Sequence, residues 1–241
     1  MNGFLWLTLF FAISDWIAVW RNQKRVRYLT KPATLLALTI WYTQMGGWQS
    51  PHFWFGLGLS FSLAGDVFLL LPARYFLTGL GAFLAAHLCY MIGFNQSLPV
   101  LNSIALLVVL VVILPAFFLL LNIRKRLMQH GHRNLVPAVM VYGVVISLML
   151  LSALVSLWRP DWTGVNEYHL LRLNFLLSSL VYANFSITPA ILASVGAGLF
   201  FLSDTLLVQN RFISPLPQGN LWVMIAYHLG QILLAIAAAS H

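Results

Sequence analysis

Long apolar runs dominate this chain and restrict the folds open to it. The longest runs cover residues 100–121 and 135–157, and neither alternates apolar with polar residues. They exceed the roughly 9–11 residues of a transmembrane β-strand and match the ~20 residues that a helix needs to cross a bilayer. The composition agrees, because 61% of the residues are hydrophobic and only 7% are charged, against about 25% in a soluble domain. The sequence therefore predicts an all-α, polytopic transmembrane helical bundle.

We expect about eight spans in one integral membrane domain, residues 1–241, with short loops and no separate soluble domain. The predicted spans cover residues 4–20, 33–45, 53–71, 76–94, 100–121, 135–157, 187–208 and 221–239. Pro32 suits the first turn of the second span, and residues 122–134 are expected to form a basic loop. The apolar piece at 173–185 is too short to cross ~30 Å of hydrocarbon. We interpret it as a short interfacial or re-entrant helix.

The distribution of Lys and Arg predicts the orientation. With eight spans and the N-terminus outside, the inner loops carry 11 of the 13 Lys and Arg residues, and the outer segments carry only Arg159 and Arg172. Positive loops face the cytoplasm, so both termini are predicted outside, and the compact architecture suits a bacterial inner membrane. The net charge of +8 then reflects loops near anionic lipid rather than nucleic-acid binding. A basic cluster that follows the first apolar run is the reverse of a signal peptide, so we expect this run to stay as a span.

Two aspartates stand inside apolar runs, and a carboxylate in hydrocarbon is costly enough to mark a candidate functional site. They are Asp66, in residues 59–72 (LSFSLAGDVFLLLP), and Asp204, in residues 197–212 (AGLFFLSDTLLVQNRF). The predicted topology sets both on inward-running spans, roughly 8–10 Å below the cytoplasmic boundary. Asp15 falls at the same depth on the first span. We therefore predict a polar layer in the inner half of the bundle.

The two aspartates form the leading catalytic hypothesis. In a low-dielectric pocket, two close carboxyl groups tend to share one proton, so one can act as a general acid while the other stays anionic. The alternative is that each carboxylate bonds to a neighbouring helix and only fixes the packing. For Asp15, which lies closer to the basic loop, this structural role is favoured.

Further polar residues fall near the same layer. His228 lies beside Tyr227 and one turn from Gln231, where a site role and an interhelical hydrogen bond are equally plausible. His87 lies among small residues that let helices approach closely, which favours packing or a supporting role. Lys31 heads the second span where a lipid phosphate would lie, although it could equally be a topology charge. Two His and two Asp could form a metal site, but no HxxxH or HExxH spacing supports one, so we predict neither metal nor cofactor.

Several short segments, in order along most of the chain, resemble the YhhN-like family of membrane lysoplasmalogenases. They read YLTKPATL at 28–35, SLAGD at 62–66, GLGAF at 79–83 with HLCY at 87–90, then Gly196 followed by SD at 203–204, and YHLGQ at 227–231. Two features depart from the family pattern. Residues 158–185 look like an insertion in a compact eight-span fold, and His228 stands inside the final Tyr-x-x-x-Gln motif.

The resemblance implies hydrolysis of the vinyl-ether bond of lysoplasmalogens to a fatty aldehyde and a glycerophospho-ethanolamine or -choline. The expected partners are the lysophospholipid substrate and membrane lipid, while head-group preference and oligomeric state stay open. Asp66 and Asp204 would divide the acid and anion roles, without an assignment of which is the acid. The expected substrate contacts are Lys31 to the phosphate, and Tyr227, His228 and Gln231 to water or the glycerol hydroxyl, with Asp15, His87 and Ser203 in support. Alternatives are a proton- or cation-coupled transporter, a metal-dependent intramembrane lipid amidase, and a scaffold without turnover.

Overall fold

The computed structural model of the chain describes residues 3–49, 52–100, 102–163 and 188–240. These residues form eight long helices, joined by turns and short 3₁₀ segments, and contain no strand. The helices are α1 (Gly3–Trp20), α2 (Lys24–Gln44), α3 (Phe53–Leu70), α4 (Phe76–Phe94), α5 (Ser103–Gln129), α6 (Val136–Val155), α7 (Thr188–Val208) and α8 (Gly219–Ala239). The helix predicted at 173–185 lies outside the described residues.

The predicted helical membrane bundle is confirmed. Within the described ranges, seven helices are long and apolar enough to cross a membrane, namely all of the eight except α2. The second helix differs because Lys24, Arg25, Arg27 and Lys31 fall in its first eight residues. The chain is therefore an integral membrane protein whose second helix carries a basic first half.

Two predicted helix boundaries were wrong, both because basic segments continue as helix. The second helix begins at Lys24 instead of residue 33, so Pro32 lies inside it and not in its first turn. Arg27 and Thr30 explain the extension, since both contact Asp15 on α1. Likewise α5 continues to Gln129 through the predicted loop. Lys and Arg are good helix formers, and their long side chains can reach the interface from a helix.

The two final helices, α7 and α8, pack closely through glycines. A Cβ atom added at Gly196 would lie 3.0 Å from the carbonyl oxygen of Gly230, and one added at Gly230 would lie 2.9 Å from that of Gly196. Small residues let membrane helices approach to backbone contact in this way. Nearer the basic end, the Ser203 hydroxyl donates a hydrogen bond of 3.0 Å to the Val223 carbonyl. This pairing sets Asp204 and Tyr227 on adjoining helices.

The other helices arrange themselves around this pair. A Cβ at Gly65 would lie 2.6 Å from the Phe83 ring, so α3 and α4 also pack closely beside Asp66. In contrast, α5 lies at the edge, and only 11% of its most apolar stretch is buried. Its close neighbour is α6, and an apolar groove lies between these two helices.

Candidate functional site

A cavity of about 130 Å³ lies at the basic end of the bundle, between α2, α3, α4, α7 and α8. Asp66 and Asp204, which are 138 positions apart in the chain, both line it. The remaining polar lining comes from Arg27, Lys31, Ser203, Arg211, Asn220 and Tyr227. Two acids and three cations therefore surround one small space at this end of the bundle.

Asp66 is fully buried and forms an ion pair with Lys31. The Lys31 Nζ lies 3.0 Å from Asp66 Oδ1, and the lysine side chain is itself only 7% exposed. The same ammonium lies 5.6 Å from the centroid of the Tyr227 ring, within cation–π range. A buried charge needs a partner, so this pair fixes α2 against α3 and compensates the charge of the carboxylate. The sequence analysis had considered a lipid phosphate contact or a topology charge for Lys31, and not this ion pair.

Asp204 has different partners. The hydroxyl of Tyr142 donates a short hydrogen bond to its Oδ2, and His87 Nε2 lies 3.4 Å from the same oxygen. His87 Nε2 also lies 2.9 Å from the Tyr142 hydroxyl, so the three groups form a connected cluster across α4, α6 and α7. The Asp204 side chain is 13% exposed, whereas those of Asp66 and His87 are fully buried. The two acids are thus held in distinct environments.

Two arginines lie where the cavity meets the exterior. Arg211 is exposed on the π-helical turn that follows α7, and its guanidinium stacks 4.4 Å above the Phe76 ring centroid. Arg27 lies 3.6 Å from Asp15 and is 22% exposed. Asn220 also lines a second, polar cavity of about 440 Å³ between the α1–α2 turn and the α7–α8 loop. This end therefore presents positive charge and hydrogen-bonding groups.

Other predicted site residues bond elsewhere and do not line the cavity. Asp15 accepts a 2.9 Å hydrogen bond from Thr30 and pairs with Arg27, which fits the favoured structural role. His228 Nδ1 accepts a hydrogen bond of 3.1 Å from Trp16 Nε1. Because indole N–H can only donate, a neutral His228 carries its proton on Nε2. A direct substrate contact for His228 stays a prediction.

In the 227–231 motif of the last helix, Tyr227 lines the cavity and Gln231 lies in the core. Tyr227 lines the cavity, and neither its hydroxyl nor Asp66 Oδ2 makes a hydrogen bond of standard geometry among the described residues. Gln231 lies deeper and accepts a 2.7 Å hydrogen bond from Tyr90. Tyr227 and Asp66 both line the cavity and lie close enough to interact with each other, while a ligand contact for Gln231 stays a prediction.

Sequence reasoning missed Tyr142 and the two arginines. Tyr142 lies in a long apolar span, where a tyrosine gives little signal, since its ring suits the core. Arg27 and Arg211 were counted only as topology charges. The part of the chain that the structure describes contains no group of three or more His, Cys, Asp or Glu side chains that could hold a metal ion.

The fold and cavity together define a polytopic membrane protein with two buried acids at its basic end. Comparison with known proteins is consistent with this class, because the model of the YhhN family matches residues 26–238. That match covers most of the chain, which therefore belongs to the YhhN family.

Three relatives are informative. Lysoplasmalogenase TMEM86B of Sus scrofa is 31% identical over 74% of this chain and 60% of its own length. A protein named lysoplasmalogenase homolog from Dictyostelium discoideum is 29% identical over 75% of this chain and 61% of its own. The membrane protein YhhN of Escherichia coli O157:H7 is 26% identical over 95% of this chain and 97% of its own length. The chain thus spans about 60% of the first two relatives and nearly all of the third, and no solved structure matches.

Proposed function

We propose that this protein hydrolyses the vinyl-ether bond of lysoplasmalogens in the cavity that Asp66 and Asp204 line. The observation that carries the proposal is the pair of carboxyl groups with different partners in one cavity at the basic end of a membrane bundle. The relatives named lysoplasmalogenases support the same activity, although the chain spans only part of their length.

Vinyl-ether hydrolysis requires a proton donor more than a strong nucleophile. The proton adds to the alkene carbon farther from the ether oxygen and leaves an oxocarbenium ion at the nearer carbon. Water adds there and releases a proton, and the hemiacetal then breaks its bond to the glycerol oxygen. One water is consumed, and the products are a fatty aldehyde and a glycerophospho-alcohol. A positioned acid and a nearby fixed anion lower the barrier to the first step.

The two acids suit these two roles. Asp66, buried and compensated by Lys31, is the fixed anion that stabilises the oxocarbenium ion. Asp204 is the proton donor, because its side chain is partly exposed and its Tyr142 and His87 partners can return a proton after each turnover. The Tyr227 hydroxyl and the Asp66 carboxylate, which are neighbours in the cavity lining, hold the attacking water.

The cations place the head group. Lys31 already compensates Asp66, so Arg211, which has no carboxylate within ion-pair distance among the described residues, is better suited to a phosphodiester. Arg27 lies in the same lining and adds positive charge. The polar cavity beyond Asn220 then receives the rest of the head group.

The test is an assay of purified protein in detergent with lysoplasmenyl-ethanolamine, in which the released aldehyde is measured. The matched control substrate is the saturated alkyl-ether lysolipid, which has no alkene carbon to protonate and should give no product. Asp204→Asn should lower kcat by about 10²–10⁴-fold, the usual contribution of a general acid. Asp66→Asn should also remove most activity.

Asp161→Asn is the control variant, since Asp161 is an exposed carboxylate outside the cavity, and it should retain full activity. Absence of aldehyde with the wild-type protein, or full activity in either Asp66→Asn or Asp204→Asn, would contradict the proposal. Proton-coupled substrate flux into proteoliposomes without aldehyde would instead favour the transporter alternative.

A further inference from the structure

An apolar groove extends from Asp204 along the edge of the bundle, between α5, α6 and α7. Its first part, of about 30 Å³, is lined by Leu120, Ile123, Tyr142, Gly143 and Asp204, among others. Asp204 also lines the site cavity, so the groove and the candidate site lie beside the same carboxyl group.

The groove continues into a second part of about 170 Å³, which shares Leu120 with the first. Val112, Phe117, Ser147 and Leu151 are among its lining residues. The only hydroxyl in this part, that of Ser147, is satisfied by a 2.6 Å hydrogen bond to the Gly143 carbonyl. The far part of the groove therefore offers hydrocarbon contact and no free polar group among its described lining.

Leu120 packs against Gly143 where the two parts of the groove meet. A Cβ atom at this position would lie 2.3 Å from Leu120 Cδ2, so any larger residue would push Leu120 into the space. The small volumes of the two parts, about 30 Å³ and about 170 Å³, suit one hydrocarbon chain rather than the paired chains of a diacyl lipid.

The length and direction of the groove match one leaflet of a bilayer. Along α5 its lining runs from Val112 to Ile123, which at 1.5 Å per residue is about 16 Å. Half of a ~30 Å hydrocarbon core is about 15 Å. The Ile123 end lies next to Arg124 at the basic end of α5, and the Val112 end lies towards the middle of the helix. A lipid chain in the groove would thus have its head group at the basic end.

We propose that this groove binds the single hydrocarbon chain of a lysophospholipid, with the chain's first carbons at Asp204 and its terminal methyl near Val112. The placement of the reactive vinyl-ether end at Asp204 rests on the proposed function, whereas binding of the chain in the groove does not. In a lysoplasmalogen the vinyl ether lies where the chain joins the glycerol, so the alkene carbon that takes the proton would stand at the junction of groove and cavity. Asp204 is the acid at that junction.

The first test compares two substitutions of adjacent valines on α5. Val112→Trp fills the far end of the groove, whereas Val111→Trp is the matched control, because Val111 is 61% exposed and does not line the groove. We expect Val112→Trp to lower kcat/KM for an 18-carbon lysoplasmalogen about tenfold or more relative to a 10-carbon one. Val111→Trp should leave that ratio unchanged. An unchanged ratio in Val112→Trp, or an equal change in both variants, would overturn the proposal.

A second measurement does not need turnover and separates the groove from the proposed function. The probe is a saturated lysophosphatidylethanolamine with a photoreactive diazirine near the chain end, added to wild-type protein in nanodiscs. Labelling, assigned to single residues, should favour Val112 and Leu151 over the exposed Val111, should be competed by excess unlabelled lysolipid, and should decrease in Ser147→Phe. Labelling that spreads over exposed positions such as Val111 and resists competition would show ordinary annular lipid and overturn the proposal. Competed labelling without aldehyde release would retain the groove and reject the lysoplasmalogenase activity.

Discussion

The two central aspartates differ in their partners rather than in their local sequence. Each follows a small residue in an apolar run, which is why the sequence could propose both as site residues. What it could not show is that Lys31 neutralises one and that Tyr142 and His87 contact the other. Those partners come from helices distant in the chain, and neither periodicity nor spacing encodes which side chains meet.

The Lys31–Asp66 pair makes a prediction at this scale. Lys31→Met leaves the Asp66 carboxylate buried without its partner, which should cost about 3 kcal/mol of stability. The double variant Lys31→Met/Asp66→Leu removes both charges and should regain most of that loss, yet stay inactive. Thermal unfolding can be followed with a thiol-reactive dye, because Cys89 is buried and is the only cysteine. Wild-type stability in Lys31→Met would show that the pair contributes little.

At the scale of elements, the lengths of the apolar runs predicted that the helices exist, but for α2 and α5 they did not predict where the helix begins or ends. α4 matches its predicted bounds, and α7 and α8 differ from theirs by at most two residues. The errors at α2 and α5 arise because a helix does not end where hydrophobicity ends. Basic residues continue the helical backbone while their charges reach the interface. In α2 this extension also brings Arg27 and Lys31 onto the cavity.

The contact between α7 and α8 gives the matching prediction. Gly196→Ala would place its Cβ 3.0 Å from backbone atoms of α8, which cannot move aside as a side chain can. We expect a loss of about 1–3 kcal/mol from overpacking and reduced activity, since Asp204 and Tyr227 would shift apart. Gly198→Ala is the control on the same helix, because a Cβ there meets nothing within 4 Å, and it should unfold at or above the wild-type temperature. Equal unfolding temperatures for the two variants would contradict this account.

At the scale of the whole molecule, the two acids and the three cations of the cavity lie together at one end of the described bundle. The cavity lies at the end of the bundle where α2 begins and α5 ends, and both of these segments are basic. Arg211 lies at the same end. The positive-inside rule identifies that end with the cytoplasm, and this orientation stays a prediction from sequence. A single-chain lipid of the inner leaflet would then reach the acids sideways, through the groove beside α5, without leaving the membrane.

The central claim is that Asp66 and Asp204 serve one reaction in one cavity, and a double-mutant cycle on kcat tests it most directly. The four proteins are wild type, Asp66→Asn, Asp204→Asn and the double variant, assayed for aldehyde release from lysoplasmenyl-ethanolamine. Residues that act as a unit are strongly non-additive. We therefore expect the double variant to be no slower, within about threefold, than the slower single variant. Losses that multiply across the two sites, or a single variant with wild-type kcat, would contradict the claim.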